Sequence, residues 1–355
     1  MMPLFVPYDP SLRYKPVFAE PYFMPELRKD PILNRWVIIS PDRGKRPQDF
    51  PTPTKKLHNV ICPFCMGNEK STPPEIIAFR PENSTSNSSD WTLRVVPNKF
   101  PALRIEGAMD RSDDGLYESM NGIGAHEVII ESPDHQADLD LLPVERIEDT
   151  LLAFKLRILD LKKDVRFQYI LIFKNYGEPA GATLEHTHCQ LIALPIVPEL
   201  VRDEIEGAQQ YFDLKQQCIF CDIVAQEKKT GLRVVNQNER FITLCPYAPR
   251  FPFEMWLLPK FHSDRFEDCG TEDISRLAEL LKESLMKMRL ALGEPSYNFV
   301  LHTSPMNRGN GRHYHWHIEI MPKLTKMAGF EQGTGFYINP VLPEVAAETL
   351  RNTKV

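Results

Sequence analysis

Two histidines and a glutamine stand at alternating positions in the stretch His186-Thr187-His188-Cys189-Gln190. Apolar residues flank this stretch, and the period of two predicts a strand on which the three polar side chains share one face. An imidazole can bind a metal ion or attack an electrophilic centre, and a side-chain amide can donate hydrogen bonds to the oxygens of a bound group. Along this face, His186 can bind a metal ion, His188 can attack, and Gln190 can hold the group that is attacked.

The same arrangement recurs at His315-Trp316-His317-Ile318-Glu319. Each copy follows, in the same order, a Cys-x-x-Cys pair, a histidine that closes a strand, a helical pattern and a further strand. The paired elements are Cys62, Cys65 and His135 in the first series, and Cys218, Cys221 and His262 in the second. Two tandem copies of one structural unit are the simplest explanation of this order.

Each series offers two thiolates and two imidazoles, a tetrahedral ligand set that suits zinc. The predicted ligands are Cys62, Cys65, His135 and His186 in the first unit, and Cys218, Cys221, His262 and His315 in the second. A redox role for Cys-Pro-Phe-Cys is the alternative, but it leaves the second pair and the recurring histidines unexplained. In the second unit, Glu204, His302 and His317 form a rival set of oxygen and nitrogen ligands. Four protein ligands close a metal site, so we expect a structural zinc that fixes the strand carrying His188.

Helical and strand patterns alternate around these motifs. Residues 144–163, 199–212 and 274–292 keep apolar side chains at helical spacing, and shorter apolar runs between them predict strands. We therefore predict an α+β protein of two tandem histidine-triad-like units, with mainly antiparallel sheets, a helix packed on each, and sheets that can meet edge to edge. The predicted boundaries are an N-terminal arm at 1–25, a first unit at 26–197 and a second unit at 198–355.

Composition excludes several classes of protein. The chain has 355 residues and a net charge of −6, which gives no bulk attraction to nucleic acid. No apolar run approaches a membrane span and no secretory leader is evident, so we expect a cytoplasmic protein without a membrane partner. Seven cysteines, an odd number, argue against a disulfide framework. A zinc-stapled scaffold or nucleic-acid binder is a non-enzymatic alternative, which the acidic charge and the lack of a basic, aromatic stripe disfavour.

From about Pro25 to Arg351, the chain resembles the galactose-1-phosphate uridylyltransferase family, a branch of the histidine triad superfamily. The matching motifs are Asp30-Pro-Ile-Leu-Asn-Arg-Trp-Val, Ser40-Pro-Asp-Arg-Gly-Lys-Arg-Pro, Cys62-Pro-Phe-Cys65, Ser132-Pro-Asp-His135, residues 175–190 and Gly329-Phe-Glu-Gln-Gly-Thr-Gly-Phe-Tyr-Ile-Asn-Pro340. The departures are Thr187 and Cys189, where the best-known members carry Pro and Gly, and the second Cys-x-x-Cys, which only some branches have.

The resemblance implies a ping-pong nucleotidyl transfer in which His188 becomes covalently nucleotidylated and Gln190 holds phosphate oxygens. Related hydrolases carry histidine at the Gln190 position. Phosphates are expected along Asn175, Gly181, Ala182 and Thr183 and at the basic residues Arg43 and Arg46. The base and ribose are expected at Asn98, Phe100 and Val128, and the sugar at Phe330, Glu331 and Asn339, partly across the interface of a homodimer.

Two activities of this family are compatible with the motif. We first expect uridylyl exchange from UDP-glucose to galactose 1-phosphate, with UDP-galactose as the new nucleotide sugar. The alternative is an ADP-glucose phosphorylase that passes AMP to phosphate, because His-Thr-His-Cys-Gln resembles the His-Ser-His-Ser-Gln of that branch. The second unit lacks the Gly-Ala-Thr approach, so we expect His317 and Glu319 to be noncatalytic.

Overall fold

The structure, a computed structural model, describes residues 25–45, 61–306 and 311–355. Its strands are β1 (Glu26–Lys29), β2 (Trp36–Ile39), β3 (Ile77–Phe79), β4 (Leu93–Pro97), β5 (Ser112–Asp114), β6 (Tyr117–Ser119), β7 (Ala125–Ile130), β8 (Tyr169–Tyr176), β9 (His188–Leu194), β10 (Val234–Gln237), β11 (Phe241–Leu244), β12 (Met255–Pro259), β13 (Tyr297–His302), β14 (His317–Pro322) and β15 (Tyr337–Asn339). Its α-helices are α1 (Val144–Leu161), α2 (Glu199–Lys215), α3 (Ile219–Thr230), α4 (Thr271–Leu292), α5 (Gly329–Thr334) and α6 (Pro343–Asn352).

One ten-stranded sheet runs through both halves of the chain, in the order β10-β11-β12-β14-β13-β8-β9-β7-β4-β3. All of its neighbouring strands are antiparallel. The halves meet where β8 pairs with β13, with Tyr176 opposite Tyr297 and Ile172 opposite Leu301. The two sheets therefore lie edge to edge, and the predicted α+β class with mainly antiparallel strands is confirmed.

The two long helices α1 and α4 cover one face of this sheet. Apolar side chains at helical spacing line the buried side of each, including Ile147 and Phe154 in α1 and Leu277 and Leu281 in α4. These side chains and the strands beneath them form one continuous hydrophobic core. The prediction of one packed helix for each unit is thereby confirmed.

Two further helices, α2 and α3, belong to a second core on the opposite face of the sheet. Val201 of α2 and Phe220 of α3 pack there with Trp256 of β12. Helix α2 was predicted from the apolar spacing, but α3 was not. The buried residues Ile219, Phe220 and Val224 keep helical spacing in α3, but Cys218 at its N-cap and Cys221 in its first turn identified this segment only as a ligand pair.

Strand β9, which carries His188 and Gln190, starts later in the sequence than predicted. The ladder between β9 and β7 begins with His188 opposite Ile130, and His186 precedes the strand. The expectation that one strand carries His186, His188 and Gln190 is therefore wrong for His186. Its ring turns away to bond the Ser132 carbonyl and to approach Cys65, while the other two side chains remain on the ladder.

A separate small sheet joins the N-terminal and C-terminal segments of the chain. β1 pairs with β2, and β15 runs parallel to β2, which links the C-terminal segment to the start of the first unit. Of the predicted arm at 1–25, only the last residue lies within the described residues. The unit boundary between 197 and 198 stays a prediction, and α2 begins just beyond it. Among the described helices, none combines the length and apolar character needed to cross a bilayer.

Candidate active site and metal clusters

Four side chains of the first half converge at the entry to β9. They are Cys62, Cys65, His135 and His186, and their ligand atoms all lie within 4.8 Å of one another. Sγ of Cys65 is 3.3 Å from Nδ1 of His135 and 3.6 Å from Nδ1 of His186. In a tetrahedral zinc site, Zn–S of about 2.3 Å and Zn–N of about 2.0 Å place a sulfur and a nitrogen ligand about 3.6 Å apart. The donor types and their spacing therefore fit a tetrahedral metal site.

The orientation of the His186 ring agrees with this role. Nε2 lies 2.7 Å from the carbonyl oxygen of Ser132, so Nε2 carries the proton and donates it. The lone pair is then on Nδ1, the atom that faces the thiol of Cys65. Four protein ligands leave no position for a substrate, so a metal bound here would act structurally and hold the chain entering β9.

The second half contains an equivalent cluster of Cys218, Cys221, His262 and His315, again with all ligand atoms within 4.8 Å. Sγ of Cys221 is 3.5 Å from Nδ1 of His262 and 3.6 Å from Nδ1 of His315. Nε2 of His315 lies 3.1 Å from the carbonyl oxygen of Pro259, which leaves Nδ1 facing the cysteines. The repeat predicted from sequence therefore extends to the choice of ring nitrogen.

The rival ligand set of the second half is a separate group. Glu204, His302 and His317 have ligand atoms within 4.8 Å of one another. The two imidazoles stack with centroids 4.7 Å apart and an interplanar angle of 3°. Glu204, on α2, lies 3.4 Å from Nδ1 of His302, and burial raises the pKa of Glu204 to about 7. His315 thus belongs to the cysteine cluster, and the two sets do not compete for it.

His188 opens β9 as a buried imidazole with a defined tautomer. Nδ1 lies 2.7 Å from the carbonyl oxygen of His186, and a carbonyl only accepts, so Nδ1 carries the proton. Burial lowers the pKa of His188, which keeps the ring neutral at pH 7. The ring of Phe64 packs against it at 5.3 Å and 64°. The lone pair is therefore on Nε2 of an imidazole whose orientation is held at two points.

Gln190 lies on the same face of β9, two residues after His188, and pairs with Val128 of β7. Its Oε1 is 2.9 Å from Nε2 of His126. Nδ1 of His126 accepts the backbone N–H of Ala102 at 3.1 Å, so the His126 proton is on Nε2 and is donated to Gln190. This contact leaves the amide NH2 of Gln190 as the group available to an anionic oxygen.

The loop between β8 and β9 carries the small residues predicted to lie along phosphates. Gly181 has φ +88°, a left-handed conformation that L side chains rarely adopt. Nδ2 of Asn298, on β13, donates to Oδ1 of Asn175 at 2.9 Å and to the carbonyl of Ala180 at 2.8 Å. Ala182 is half-buried in this loop, and Thr183 is exposed. Asn298 of the second half therefore orients the side-chain amide of Asn175, a residue of the first half that is predicted to lie along the phosphates.

Two of the three residues predicted at the base and ribose, Asn98 and Val128, lie near Gln190. Oδ1 of Asn98 accepts the backbone N–H of Phe100 at 2.9 Å, and Nδ2 of Asn98 is 3.1 Å from Nε2 of His126. Val128 is buried on β7, whereas the Phe100 side chain is 85% exposed. The structure therefore brings Asn98 and Val128 next to Gln190 and presents the ring of Phe100 to solvent.

The predicted basic phosphate ligands are only partly described. Arg43 lies half-buried in the 3₁₀ turn Pro41–Lys45 that follows β2. Arg46 lies outside the described residues. Both assignments stay predictions.

The predicted sugar-site residues are in the C-terminal segment. Phe330 and Glu331 lie in α5, where the Glu331 carboxylate accepts the backbone N–H of Ala328 at 3.0 Å. Asn339 is fully buried in β15 and donates to the carbonyl of Pro249 at 3.1 Å. Within residues 25–45, 61–306 and 311–355, no hydrogen bond joins these three side chains to His188 or Gln190. Their assignment to a sugar site stays a prediction.

Sequence reasoning missed two residues that contact the predicted site. His126 precedes Val128 by two positions on β7, so strand alternation places it on the same face and could have identified it. Asn298 acts on Asn175 only because β13 pairs with β8. No local pattern in the sequence reveals that pairing.

The chain matches a family model described as galactose-1-phosphate uridyl transferase, N-terminal domain, over residues 18–198. A second model, for a domain of unknown function, matches residues 149–353.

Similar proteins cover nearly all of the chain. The ADP-glucose phosphorylase of Arabidopsis thaliana is 39% identical over 338 residues, which cover 93% of this chain and 93% of the relative. The galactose-1-phosphate uridylyltransferase of Thermotoga maritima is 30% identical over 341 residues, which cover 94% of this chain and 99% of the relative. The crystal structure of an ADP-glucose phosphorylase from Arabidopsis thaliana with bound ADP-glucose superimposes with a TM-score of 0.80 at 38% identity, over 94% of this chain and 100% of that chain.

Proposed function

Because the chain belongs to the galactose-1-phosphate uridylyltransferase family and is a nucleotidylyltransferase, we propose that His188 carries the nucleotidyl group between two substrates. The proposed donor is ADP-glucose and the proposed acceptor is inorganic phosphate. The observation that carries the mechanism is the His188 tautomer, in which Nδ1–H is donated to the His186 carbonyl and Nε2 keeps its lone pair.

The choice of nucleotide follows from similarity over nearly the whole chain. Identity is 39% to the ADP-glucose phosphorylase and 30% to the uridylyltransferase. These values favour the activity that the sequence analysis placed second. Uridylyl exchange between UDP-glucose and galactose 1-phosphate is the second candidate, supported by the match to the uridyl transferase domain.

In the first step, Nε2 of His188 attacks the α-phosphorus of ADP-glucose. A P–N bond forms, the bond from the α-phosphorus to the bridging oxygen breaks, and glucose 1-phosphate leaves with that electron pair. The imidazole becomes positively charged, and the hydrogen bond from Nδ1–H to the His186 carbonyl stabilises this charge. In the second step, a phosphate oxygen attacks the same phosphorus and forms a P–O bond while the P–N bond breaks. The electron pair of that bond returns to Nε2, so ADP is released and His188 is neutral again.

Gln190 and Asn175 are proposed to bind the phosphate oxygens. The His126 contact directs the amide NH2 of Gln190 to the substrate, and the Asn298 contact does the same for Asn175. A sugar phosphate is a good leaving group without protonation, so an amide that carries no titratable proton is sufficient at position 190. Gly181 allows the loop to approach the phosphates closely.

The remaining predicted positions enter the proposal in supporting roles. Asn98, Phe100 and Val128 are proposed to contact the base and ribose, and Arg43 and Arg46 the phosphates. Zinc is proposed at both Cys2His2 clusters, where it would organise the fold without taking part in the transfer. A homodimer is proposed as the assembly in which the C-terminal segment reaches a sugar site.

Intact-protein mass spectrometry tests the proposal directly. The protein is mixed briefly with ADP-glucose or with UDP-glucose, without an acceptor, and the acid-labile adduct is mapped by peptide analysis. An AMP-sized addition on His188 that phosphate removes is the expected result. A UMP-sized addition that galactose 1-phosphate removes would move the assignment to uridylyl exchange. An adduct on any other residue, or none with either donor, would refute His188 as the carrier.

A further inference from the structure

A buried ion pair lies directly behind the strand that carries His188. Nζ of Lys174 is 2.7 Å from Oε2 of Glu131, and the two side chains are 1% and 0% exposed. Lys174 adjoins Asn175 on β8 and Glu131 follows Ile130 at the end of β7. Strand alternation therefore places both on the face opposite the proposed phosphate site.

The pair bonds the residues on both sides of the nucleophile. Nζ of Lys174 donates to Oγ1 of Thr187 at 2.9 Å and to the carbonyl oxygen of His188 at 3.1 Å. The Thr187 hydroxyl donates to Glu131, and Sγ of Cys189 donates to Oε1 of Glu131 at 2.8 Å. All three ammonium protons are used, and three consecutive residues of the motif are held by one closed network.

The second half of the chain builds the same strands without this network. Trp316 and Ile318 occupy the positions of Thr187 and Cys189 in the repeated motif. The strand registers place Leu301 at the position of Lys174 and Pro259 at the position of Glu131. All four are buried apolar residues. The fold therefore does not require an ion pair here, and buried pairs are often no more stabilising than apolar packing.

We propose that Glu131 and Lys174 are positioning residues for nucleotidyl transfer. They hold residues 187–189 so that Nε2 of His188 faces the reacting phosphorus. This inference rests on the proposed function of His188. It also explains Thr187 and Cys189, since proline and glycine at these positions would offer no side-chain donor to the carboxylate.

The test compares two buried ion pairs on the same side of the sheet. Glu131→Gln/Lys174→Met removes the proposed positioning pair. Glu127→Gln/Arg157→Met removes the bidentate pair of 2.7 Å and 2.8 Å between β7 and α1, whose side-chain hydrogen bonds do not reach residues 186–190. Both members are changed together because a single change leaves an unpaired buried charge.

Single-turnover formation of the His188 adduct is the readout, with Tm and metal content measured in parallel. We expect Glu131→Gln/Lys174→Met to slow adduct formation about 10- to 100-fold with little change in the donor concentration for half-maximal rate. The control pair should lose a similar amount of thermal stability and keep the wild-type rate. Equal rate losses in both variants, or a wild-type rate in the first, would overturn the proposal.

If the Glu131→Gln/Lys174→Met variant does not fold, a second pair of variants tests the proposal. Thr187→Val/Cys189→Ala keeps the ion pair and cuts its side-chain links to the motif, and should slow adduct formation about 10-fold. Thr187→Ser/Cys189→Ser restores both donors and should restore the rate. No loss in the first variant, or no rescue in the second, would contradict the proposal.

Nitrogen NMR of 15N-histidine-labelled protein separates this inference from the proposed function. If the wild type forms no adduct, the proposed function fails, but the His188 tautomer still reports on positioning. A single Nδ1–H tautomer in the wild type that becomes mixed in Thr187→Val/Cys189→Ala would support the network. An unchanged tautomer together with an unchanged rate would refute it.

Discussion

The two His-x-His motifs of this chain share a scaffold and differ in what faces them. In both, the first histidine donates Nε2–H to a carbonyl, at 2.7 Å for His186 and 3.1 Å for His315, and turns Nδ1 to a cysteine pair. In both, the second histidine donates Nδ1–H to the carbonyl of the first, at 2.7 Å for His188 and 3.1 Å for His317. The backbone geometry that places the lone pair of the second histidine on Nε2 is therefore present twice.

In the second motif, other side chains of the protein lie against the second histidine and the polar residue that follows it. Glu204 of α2 lies 3.7 Å from Nε2 of His317, and the His302 ring stacks on the same imidazole. Glu319, at the position of Gln190, forms an ion pair with Arg250. In the first half, Oε1 of Gln190 instead accepts a hydrogen bond from His126, which leaves the NH2 group of Gln190 for a ligand. In the second half, helix α2 and the side chains of Glu204, Arg250 and His302 therefore lie against the face that in the first half carries the proposed nucleophile, and the strands themselves are retained.

Replacing the second histidine of either motif, His188 or His317, tests this contrast most strongly. His188→Ala should lower the rate of nucleotidyl transfer by about 10⁴-fold or more, because the covalent path is lost. His317→Ala should keep activity within about threefold and lose only stability, since this ring is packed in the interior. Steady-state rates and adduct mass measure both effects. Residual adduct in His188→Ala, or inactivity of a folded His317→Ala, would reverse the assignment of the two halves.

Gln190 and Glu319 stand two residues after the second histidine of their motifs. Exchanging amide and carboxylate at these two positions should have unequal effects. Gln190→Glu places a negative charge against phosphate oxygens and should lower kcat/KM by about 10²- to 10³-fold. Glu319→Gln removes the closer of the two carboxylates that pair with buried Arg250, leaving Glu254 at 3.5 Å, and should cost about 3 kcal/mol of stability with little change in kcat/KM. Rate assays and chemical denaturation distinguish the two. Similar kcat/KM losses in both variants would indicate that both motifs bind substrate.

Replacing one cysteine in each cluster should distinguish a metal site that positions the entry to β9 from one that only stabilises the fold. Cys62→Ser should lower metal content and reduce activity about 10- to 100-fold, because His186 no longer fixes the entry to β9. Cys218→Ser should lower metal content and Tm and keep activity within about threefold at a temperature where the variant is folded. Elemental analysis, thermal unfolding and rate assays provide the three readouts. Full metal occupancy in either variant would argue against the corresponding ligand set.

The smallest expected effect concerns the contact between the halves. Asn298→Ala frees the Asn175 amide and should lower kcat/KM about 10-fold. A matched control is Thr243→Val, which removes a buried hydrogen bond of 2.9 Å to Ser284 elsewhere in the second half and should cost about 1 kcal/mol of stability only. Activity at equal folded fraction measures the difference. Equal behaviour of the two variants would show that the second half does not orient the phosphate site.

The sequence by itself determined several of the elements and the grouping of the ligand-type side chains. Alternation predicted Gln190 and His188 on one face, helical spacing predicted α1 and α4, and the repeated order of cysteines and histidines predicted both ligand clusters. These features follow from local periodicity and from the ligand preferences of individual side chains, which do not depend on the rest of the fold. The longer motifs also identified the family, and the choice between uridine and adenine stays a prediction.

Only the tertiary structure decided which motif has a helix packed against it and what supports each motif. α2 places Glu204 on the second motif, and the pairing of β8 with β13 places Asn298 on Asn175. The ion pair behind His188 joins residues 43 positions apart through strand register. The late start of β9 was likewise decided by the contacts of His186 with Ser132 and Cys65. Each of these depends on long-range packing between segments whose own sequences fit either arrangement, so no local pattern could predict them.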